Sequence, residues 1–196
     1  MDELKRQPVG YPEEFFRTVD PKYADAARND FAVYLQRTLF FNQRSGGRYN
    51  PPGEFGVLYT ASDEETAWAE LHARFLREGA SGLPSTMGLL RILVTQGLYV
   101  DFADEESREA WDVSLAVLQS EEPTADEREA CWELARRLRP VADFFRAPSA
   151  RADGANIPLF IAGREAGELE IELAGASDRA TVPVYFRQQP TESWDD

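Results

Sequence analysis

Two charged residues of the sequence have types and positions suited to chemistry on phosphate or sugar groups. Arg48 lies in the glycine-rich segment 46–53, where glycine lets a ligand approach the backbone and a guanidinium grips phosphate or carboxylate oxygens. Glu70 lies one position before the apolar Leu71 of a predicted helix, at the edge of its buried stripe. A carboxylate there could stabilise an oxocarbenium-like transition state or orient a ribose hydroxyl.

Tyr59 and Ser149 are two further candidates, and each also has an ordinary structural interpretation. Tyr59 could stack on a flat ring or donate a hydrogen bond, but tyrosine in a strand is also common core material. Ser149 follows a predicted strand and could bind a ligand hydroxyl or cap a turn. Arg48 and Glu70 could equally be solvated side chains. Spacing alone therefore predicts only a mixed α/β domain with a shaped basic loop.

The composition argues against several kinds of site and partner. The 196 residues, 43% of them hydrophobic, suffice for one compact domain over residues 1–196. The net charge of −14 disfavours direct binding to nucleic acid and to anionic membranes. Cys131 and His72 are the only cysteine and histidine, which excludes an intramolecular disulfide, multi-histidine metal sites and most histidine-based triads. We interpret both residues as structural, with Cys131 in the core.

The expected location is the cytoplasm. The first residues are charged and lack the apolar run of a secretion signal. No later segment approaches the roughly 18 apolar residues that a membrane span requires.

The elements that must position the candidate residues follow from the hydrophobic pattern. Strands are predicted over 15–19, 56–60, 89–94, 98–102, 144–147, 157–161 and 182–186, the last at a sheet edge because proline cannot donate to a ladder. Helices are predicted over 21 to about 39, over 63–77, around 111–118, and after Thr124. The strands 89–94 and 98–102 are joined by either a hairpin or a sharp bend, and the last residues are expected to be frayed.

Two of the helices carry capping-box spacing at their starts. Ser62 and Glu65 form the first pair, before a helix whose predicted buried stripe is Trp68, Leu71 and Phe75. Thr124 and Glu127 form the second, before a helix whose predicted inward residues are Cys131, Leu134 and Leu138.

An ordered set of short motifs resembles the RES-domain family, which is named for an arginine, a glutamate and a serine. The motifs are GGRYNP at 46–51, LYTA at 58–61, Glu70 eleven residues after Tyr59, and PSAR at 148–151. The segment FRTV at 16–19 resembles the opening strand of the family, so the resemblance spans about residues 15–165. Two features depart from the pattern: Tyr49 stands where the family usually has tryptophan, and residues 20–40 form a longer segment than a minimal RES domain has.

The resemblance implies an α+β fold similar to that of ADP-ribosyltransferases, with a mixed β-sheet core and flanking helices. It also implies cleavage of the bond between nicotinamide and ribose in NAD⁺, which is then the substrate, with no metal and no prosthetic group. By this resemblance Glu70 would support the ribosyl cation, while Arg48, with Arg17 as a second candidate, would bind phosphates or ribose. Tyr59 would pack against nicotinamide, and Ser149 would help to hold the ribose or nicotinamide end.

The resemblance further implies the toxin of a toxin–antitoxin pair, which depletes cellular NAD⁺ and arrests growth. The expected partner is an Xre-type helix-turn-helix antitoxin that would supply any DNA contact, and the toxin could form a homodimer within the complex. The acceptor of the ADP-ribosyl group stays open among water, phosphate and a protein side chain, the last making the chain a mono-ADP-ribosyltransferase. A non-catalytic interaction module of the same fold is the remaining alternative.

Overall fold

A mixed eight-stranded sheet with six flanking helices makes up the described part of the chain, which in this computed structural model is residues 5–161 and 169–187. The strands are β1 (Arg6–Pro8), β2 (Glu13–Val19), β3 (Leu58–Ala61), β4 (Thr86–Gln96), β5 (Leu98–Asp101), β6 (Phe144–Pro148), β7 (Ala155–Leu159) and β8 (Glu170–Thr181). The helices are α1 (Pro21–Asn29), α2 (Phe31–Ser45), α3 (Glu64–Arg77), α4 (Glu105–Trp111), α5 (Leu115–Gln119) and α6 (Ala125–Leu138).

The order of the strands brings the predicted site residues to neighbouring positions in the sheet. The order is β1-β5-β6-β7-β3-β2-β4-β8, with β5 and β6 parallel and the other described pairs antiparallel. Arg17 lies on β2 and Tyr59 on the adjacent β3, whereas Ser149 directly follows β6. The four strands β6, β7, β3 and β2 are contiguous, which confirms an α+β fold with a mixed sheet as the scaffold of the site.

The core consists of three clusters of buried apolar side chains. One includes Tyr49, Trp111 and Phe145 and packs the last three helices against the sheet. The fully buried Cys131 belongs to it, as predicted, and burial raises the pKa of its thiol. A second cluster lies between the sheet and the first two helices, and a third surrounds Trp68. Leu71 and Phe75, from the predicted stripe of α3, are only partly buried against this third cluster.

The segment predicted as one helix over 21–39 is two helices, α1 and α2. Asp30 between them has an extended backbone (φ −155°, ψ 97°), and its carboxylate accepts a hydrogen bond from the backbone N of Val33 at 3.0 Å. Aspartate is a favoured N-cap, so this residue begins the second helix where the first ends. Likewise the helix predicted around 111–118 is divided, because Asp112 adopts a left-handed backbone (φ 53°) and Ser114 caps α5.

The last predicted strand is wrong. Residues Val184–Phe186 form a 3-10 turn that begins after Pro183. The strand at the edge of the sheet beside β4 is instead β8. The short β1 was also not predicted. Between β4 and β5 the chain bends at Gly97 without forming a hairpin, because β5 pairs with β1 and β6 instead. The predicted frayed end at residues 188–196 lies outside the described residues.

Of the two predicted capping boxes, only the second is confirmed as such. Thr124 Oγ1 accepts a hydrogen bond from the backbone N of Glu127, whose carboxylate accepts one from the backbone N of Thr124. At α3 the N-cap is Asp63, whose carboxylate accepts a hydrogen bond from the backbone N of Thr66 at 2.8 Å. Ser62 serves instead as a donor to that carboxylate, at 2.7 Å.

None of the helices within the described ranges combines the length and the apolar character needed to cross a bilayer. His72, on α3, packs its ring against Phe186 with 5.3 Å between centroids, in keeping with the structural role predicted for it.

Candidate active site

The loop that carries Arg48 is held in shape by the hydroxyl of Tyr59. Tyr59 Oη donates a hydrogen bond to Asn50 Oδ1 at 2.7 Å and accepts one from the backbone N of Tyr49 at 2.9 Å. Asn50 is fully buried, and its amide nitrogen donates to two further backbone carbonyls. Burial raises the pKa of Tyr49 and of Tyr59 well above the usual value, so both hydroxyls remain protonated. The loop is thereby fastened to β3 next to Arg48.

Arg48 extends from this loop toward α5. Its Nη2 donates a hydrogen bond to the carbonyl of Val117 at 2.7 Å, and its guanidinium carbon lies 5.6 Å from the centre of the Tyr49 ring. Its Nε is buried and has no hydrogen-bond acceptor among the residues that the structure describes. A guanidinium that lines two adjoining cavities and is held by neutral groups, with no described carboxylate paired to it, is suited to an anionic ligand.

The carboxylate of Glu70, on α3, is oriented by three side chains from distant parts of the chain. Its Oε1 accepts hydrogen bonds from Ser149 Oγ at 3.0 Å and from Asn156 Nδ2 at 2.9 Å. Its Oε2 accepts one from Arg151 Nη1 at 3.2 Å. The side chain of Glu70 is 29% exposed, so the carboxylate is fixed on one side and open to solvent on the other.

Ser149 lies behind Glu70, and its own surroundings explain why its position is fixed. The residue is 4% exposed, and its Oγ also accepts a hydrogen bond from the backbone N of Arg151 at 3.1 Å. Its backbone N donates to the carbonyl of Gly154 at 2.9 Å, which closes a tight turn between β6 and β7. The hydroxyl is therefore built into the turn and aimed at the carboxylate.

Arg17 reaches the same region from β2. Its Nη1 donates to the carbonyl of Tyr59 at 2.5 Å, and its Nε donates to the hydroxyl of Tyr34 at 3.0 Å. Both acceptors are neutral, and no carboxylate of the described residues forms an ion pair with Arg17. Its positive charge is therefore available to a ligand.

Two adjoining cavities of about 580 Å³ and 540 Å³ meet at these residues and together form what we call the cleft. Both cavities are lined by Arg48, Glu70 and Arg77 and by the loop residues Gly46 and Gly47. Arg17 and Tyr59 line the first cavity, whereas Trp132 lines the second. Each cavity has a size within the range of small-molecule sites.

The arrangement can bind an anion and stabilise a positive charge beside it. Arg77 forms no ion pair or hydrogen bond with the described residues, so three arginines around the cleft, Arg17, Arg48 and Arg77, lack a carboxylate partner there. Glu70 supplies an oriented negative charge between them. Such a site favours a reaction that needs orientation and charge stabilisation more than a strong base.

The predicted residues Arg17, Arg48, Tyr59 and Glu70 all line the cleft, and Ser149 contacts it through Glu70. Sequence reasoning gave no role to three residues that the geometry adds, namely Asn156, Arg151 and Arg77. Arg151 was visible within the motif at 148–151, and Arg77 as the last residue of a predicted helix. Asn156 is a polar residue just before the apolar run 157–161, and only the strand pairing shows that it faces Glu70.

Both the sequence and the fold resemble those of known proteins. The family model of the RES domain matches residues 15–183, past the residue 165 expected from the motifs. A protein of Mycobacterium tuberculosis named probable NAD(+) phosphorylase is 35% identical over 81 residues. That alignment covers 41% of this chain and 39% of the relative, so the chain matches about two fifths of the relative's length. A chain of the crystal structure of the M. tuberculosis MbcT–MbcA toxin–antitoxin complex has the same fold, with a TM-score of 0.64 at 17% identity over 93% of this chain and 92% of that one.

Proposed function

Because the chain belongs to the RES-domain family, we propose that it is an enzyme that cleaves the bond between nicotinamide and ribose in NAD⁺. The relative named as an NAD(+) phosphorylase supports this substrate and reaction. The observation that carries the proposal is the carboxylate of Glu70, held by Ser149, Asn156 and Arg151 beside arginines that have no described carboxylate partner.

The reaction breaks the bond between the anomeric carbon of the ribose and the nitrogen of nicotinamide. The electron pair goes to the ring nitrogen, which leaves as neutral nicotinamide, while positive charge develops on the ribose. Glu70 stabilises that charge, and an acceptor oxygen then forms the new bond to the anomeric carbon. A phosphate oxyanion does so without losing a proton, whereas water releases one proton to the solvent. Electrostatic stabilisation by one preorganised group is typically worth about 10²- to 10³-fold in rate.

The remaining residues bind and orient. Arg48, Arg17 and Arg77 are proposed to hold the pyrophosphate, since each lines the cleft and keeps donors for it. Tyr59 is proposed to pack its ring face against nicotinamide, because its hydroxyl is already engaged with the loop. For Ser149, the bond to Glu70 favours a role in orienting the carboxylate, and the carboxylate then contacts the ribose.

The test is nicotinamide release from NAD⁺ by the purified protein and by Glu70→Gln, which removes the charge and keeps the shape. We expect the rate to fall by about 10²- to 10³-fold in the variant. Glu64→Gln, an exposed glutamate in the first turn of the same helix, is the matched control and should keep the wild-type rate. A folded Glu70→Gln protein with undiminished turnover would overturn the assignment of Glu70. A folded wild type that releases no nicotinamide would favour a non-catalytic binding module.

The acceptor is proposed to be phosphate, as in the relative's name, with water and a protein side chain as alternatives. Product analysis with and without inorganic phosphate distinguishes the three. Phosphorolysis requires phosphate and yields ADP-ribose phosphorylated at the former nicotinamide position. Free ADP-ribose would indicate hydrolysis, and labelled protein would indicate ADP-ribosyl transfer.

We also propose that the enzyme is a cytoplasmic toxin restrained by an antitoxin, because uncontrolled NAD⁺ loss would harm the cell that makes it. The fold shared with a chain of a toxin–antitoxin complex supports this proposal. An Xre-type antitoxin with a basic surface would be attracted to a protein of net charge −14. By covering the approach to Arg48 and Glu70 it would block substrate without unfolding the enzyme.

Expression experiments test the toxin and its restraint. Expression alone should arrest growth and lower cellular NAD⁺, and co-expression with a neighbouring antitoxin gene should restore both. Light scattering of the complex would show whether two toxin copies are present, as a homodimer requires. Normal growth and normal NAD⁺ with abundant folded protein would contradict the toxin proposal.

A further inference from the structure

A third cavity, of about 660 Å³, lies between the first two helices and adjoins the cleft. We call it the α1–α2 pocket. It shares Arg17, Asn42, Ser45 and Arg74 with the cleft, so the two cavities border one another. α1 and the first ten residues of α2 lie in the segment 20–40, which departs from the family pattern in the sequence.

The α1–α2 pocket is cationic, although the protein as a whole carries a net charge of −14. Its lining includes Arg17, Lys22, Arg37 and Arg74, and no carboxylate among the residues that the structure describes. Lys22 and Arg74 pair with Asp20 and Glu78 at its exposed rim. Arg37 and Arg17 have no described carboxylate partner, so they provide uncompensated positive charge at the pocket.

The pocket also has surfaces that suit a flat ring. Tyr23, Tyr34 and Phe41 contribute to its lining, and Tyr34 is buried while the other two remain exposed. Aromatic side chains stack on bases whatever the base. Cationic groups together with aromatic faces are the chemistry that recognises a nucleoside phosphate.

The opposite end of the cleft has a different charge. The cavity beside Trp132 is lined by three carboxylates, Glu70, Glu121 and Glu122, and by four arginines, so its lining carries less net positive charge than that of the α1–α2 pocket. The nicotinamide ring of NAD⁺ is a cation, and the phosphates are anions. Coulombic attraction thus favours nicotinamide on the carboxylate side and the phosphates on the side of the α1–α2 pocket.

We propose that the α1–α2 pocket binds the adenosine-phosphate half of the dinucleotide, with Arg37 and Lys22 contacting its phosphate and Tyr23 or Phe41 its base. This inference rests on the proposed function for the identity of the ligand. It assigns a substrate-specificity role to the segment 20–40. A mononucleotide that lacks the adenosine phosphate would lose these contacts.

The test compares the double variant Lys22→Ala/Arg37→Ala with wild type in nicotinamide release. We expect the KM for NAD⁺ to rise at least about tenfold, since each charge-assisted contact to phosphate is lost, with kcat little changed. The KM for nicotinamide mononucleotide should not change, because this substrate does not reach the pocket. Arg44→Ala is the matched control, since Arg44 lies on the same helix, stacks on Phe40 and does not line the pocket.

A binding measurement separates this proposal from the proposed reaction. Calorimetric titration of the Glu70→Gln protein with 5′-AMP should show binding that weakens at least about tenfold when Lys22→Ala/Arg37→Ala is added. Inorganic phosphate at equal concentration should not displace 5′-AMP; if it does, the pocket is a phosphate-acceptor site and the nucleotide assignment is wrong. An unchanged KM for NAD⁺ in an active double variant would also overturn the proposal. Binding of 5′-AMP by a folded wild-type protein that does not cleave NAD⁺ would instead refute the reaction and retain the pocket.

Discussion

Ser149 and Glu70 form a hydrogen bond of 3.0 Å between Oγ and Oε1, although 79 residues separate them in the chain. Asn156 donates to the same oxygen at 2.9 Å, so two donors from the β6–β7 region fix one carboxylate oxygen. Among the described side chains, Arg151 alone donates a hydrogen bond to the second oxygen, Oε2. Glu70 is thus oriented from behind and presents one edge toward the cleft.

We predict that Ser149→Ala lowers kcat for nicotinamide release more than it changes the KM for NAD⁺. The loss of one hydrogen bond to a charged group is worth about 1.5–3 kcal/mol, or roughly 10- to 150-fold, with the lower end expected because Asn156 remains. A purely structural role would lower the melting temperature and leave the kcat of the folded fraction intact. Steady-state kinetics with calorimetric melting distinguishes these two results.

Arg48→Ala should weaken NAD⁺ binding at least about tenfold, because the variant removes a charge-assisted contact to phosphate. Calorimetry in the Glu70→Gln background measures affinity without turnover. The loss of the bond to Val117 should cost about 1 kcal/mol of stability. Arg28→Ala, an exposed arginine of α1 paired with Asp25 and Asp178, is the control. Equal affinities of Arg48→Ala and wild type would count against the assignment.

Gly47→Ala should lower the activity of the site, although Gly47 itself contacts no group that is proposed to react. An added Cβ would lie 2.6 Å from Tyr59 Oη and 2.9 Å from Asn50 Oδ1, so it would separate the two groups that shape the loop. We expect at least about a tenfold loss of kcat/KM, comparable to losing one charge-assisted contact. Gly53→Ala is the matched variant in the same loop.

At Gly53 an added Cβ meets nothing within 4 Å, but the backbone is left-handed (φ +89°). That variant should lose about 1 kcal/mol or somewhat more of stability and keep its KM for NAD⁺. If Gly47→Ala and Gly53→Ala behave alike in kinetics, the contact with Tyr59 does not position Arg48.

Asp63→Ala should lower stability by about 0.5–2 kcal/mol at pH 7, because Asp63 caps α3. Burial raises the pKa of Asp63, but hydrogen bonds from Thr66 and Ser62 outweigh it and hold the pKa below its usual value. A lowered pKa stabilises the fold above about pH 4 and loses that contribution as pH falls through the folded-state pKa. Urea unfolding at pH 7 and at pH 3 should therefore show a smaller difference between variant and wild type at pH 3. An equal stability difference at the two pH values would show that the charge of Asp63 does not contribute to the cap.

Periodicity predicted the elements whose buried side chains recur regularly, and it failed where a single polar residue interrupts the pattern. Asp30 and Asp112 each divide a predicted helix. Asp30 caps a new helix and Asp112 adopts a left-handed backbone, and neither feature disturbs the spacing of apolar residues from which the helices were predicted. β8 was missed although Glu170-Ile171-Glu172-Leu173 alternates, since much of the strand is small and polar. Pro183 was placed within an edge strand, which is wrong, because the residues after it form a 3-10 turn.

For the site, the motifs predicted which residues assemble, but they could not predict how the residues contact one another. Tyr59 was expected to face the ligand, and the fold also makes its hydroxyl the support of the Arg48 loop. Asn156 approaches Glu70 only because β7 lies between β6 and β3. The α1–α2 pocket requires two helices and β2 to meet, which no local pattern specifies.

The contacts of Glu70 also set a time at which the enzyme can become active during its synthesis. Its partners lie 79, 81 and 86 residues further along the chain. At about 5–20 residues per second, a ribosome needs roughly 4–17 s to make the last of them after Glu70. Until then the carboxylate lacks the three donors that orient it in the complete structure. On the proposed mechanism, the first NAD⁺ can therefore be cleaved only several seconds after Glu70 itself has been made.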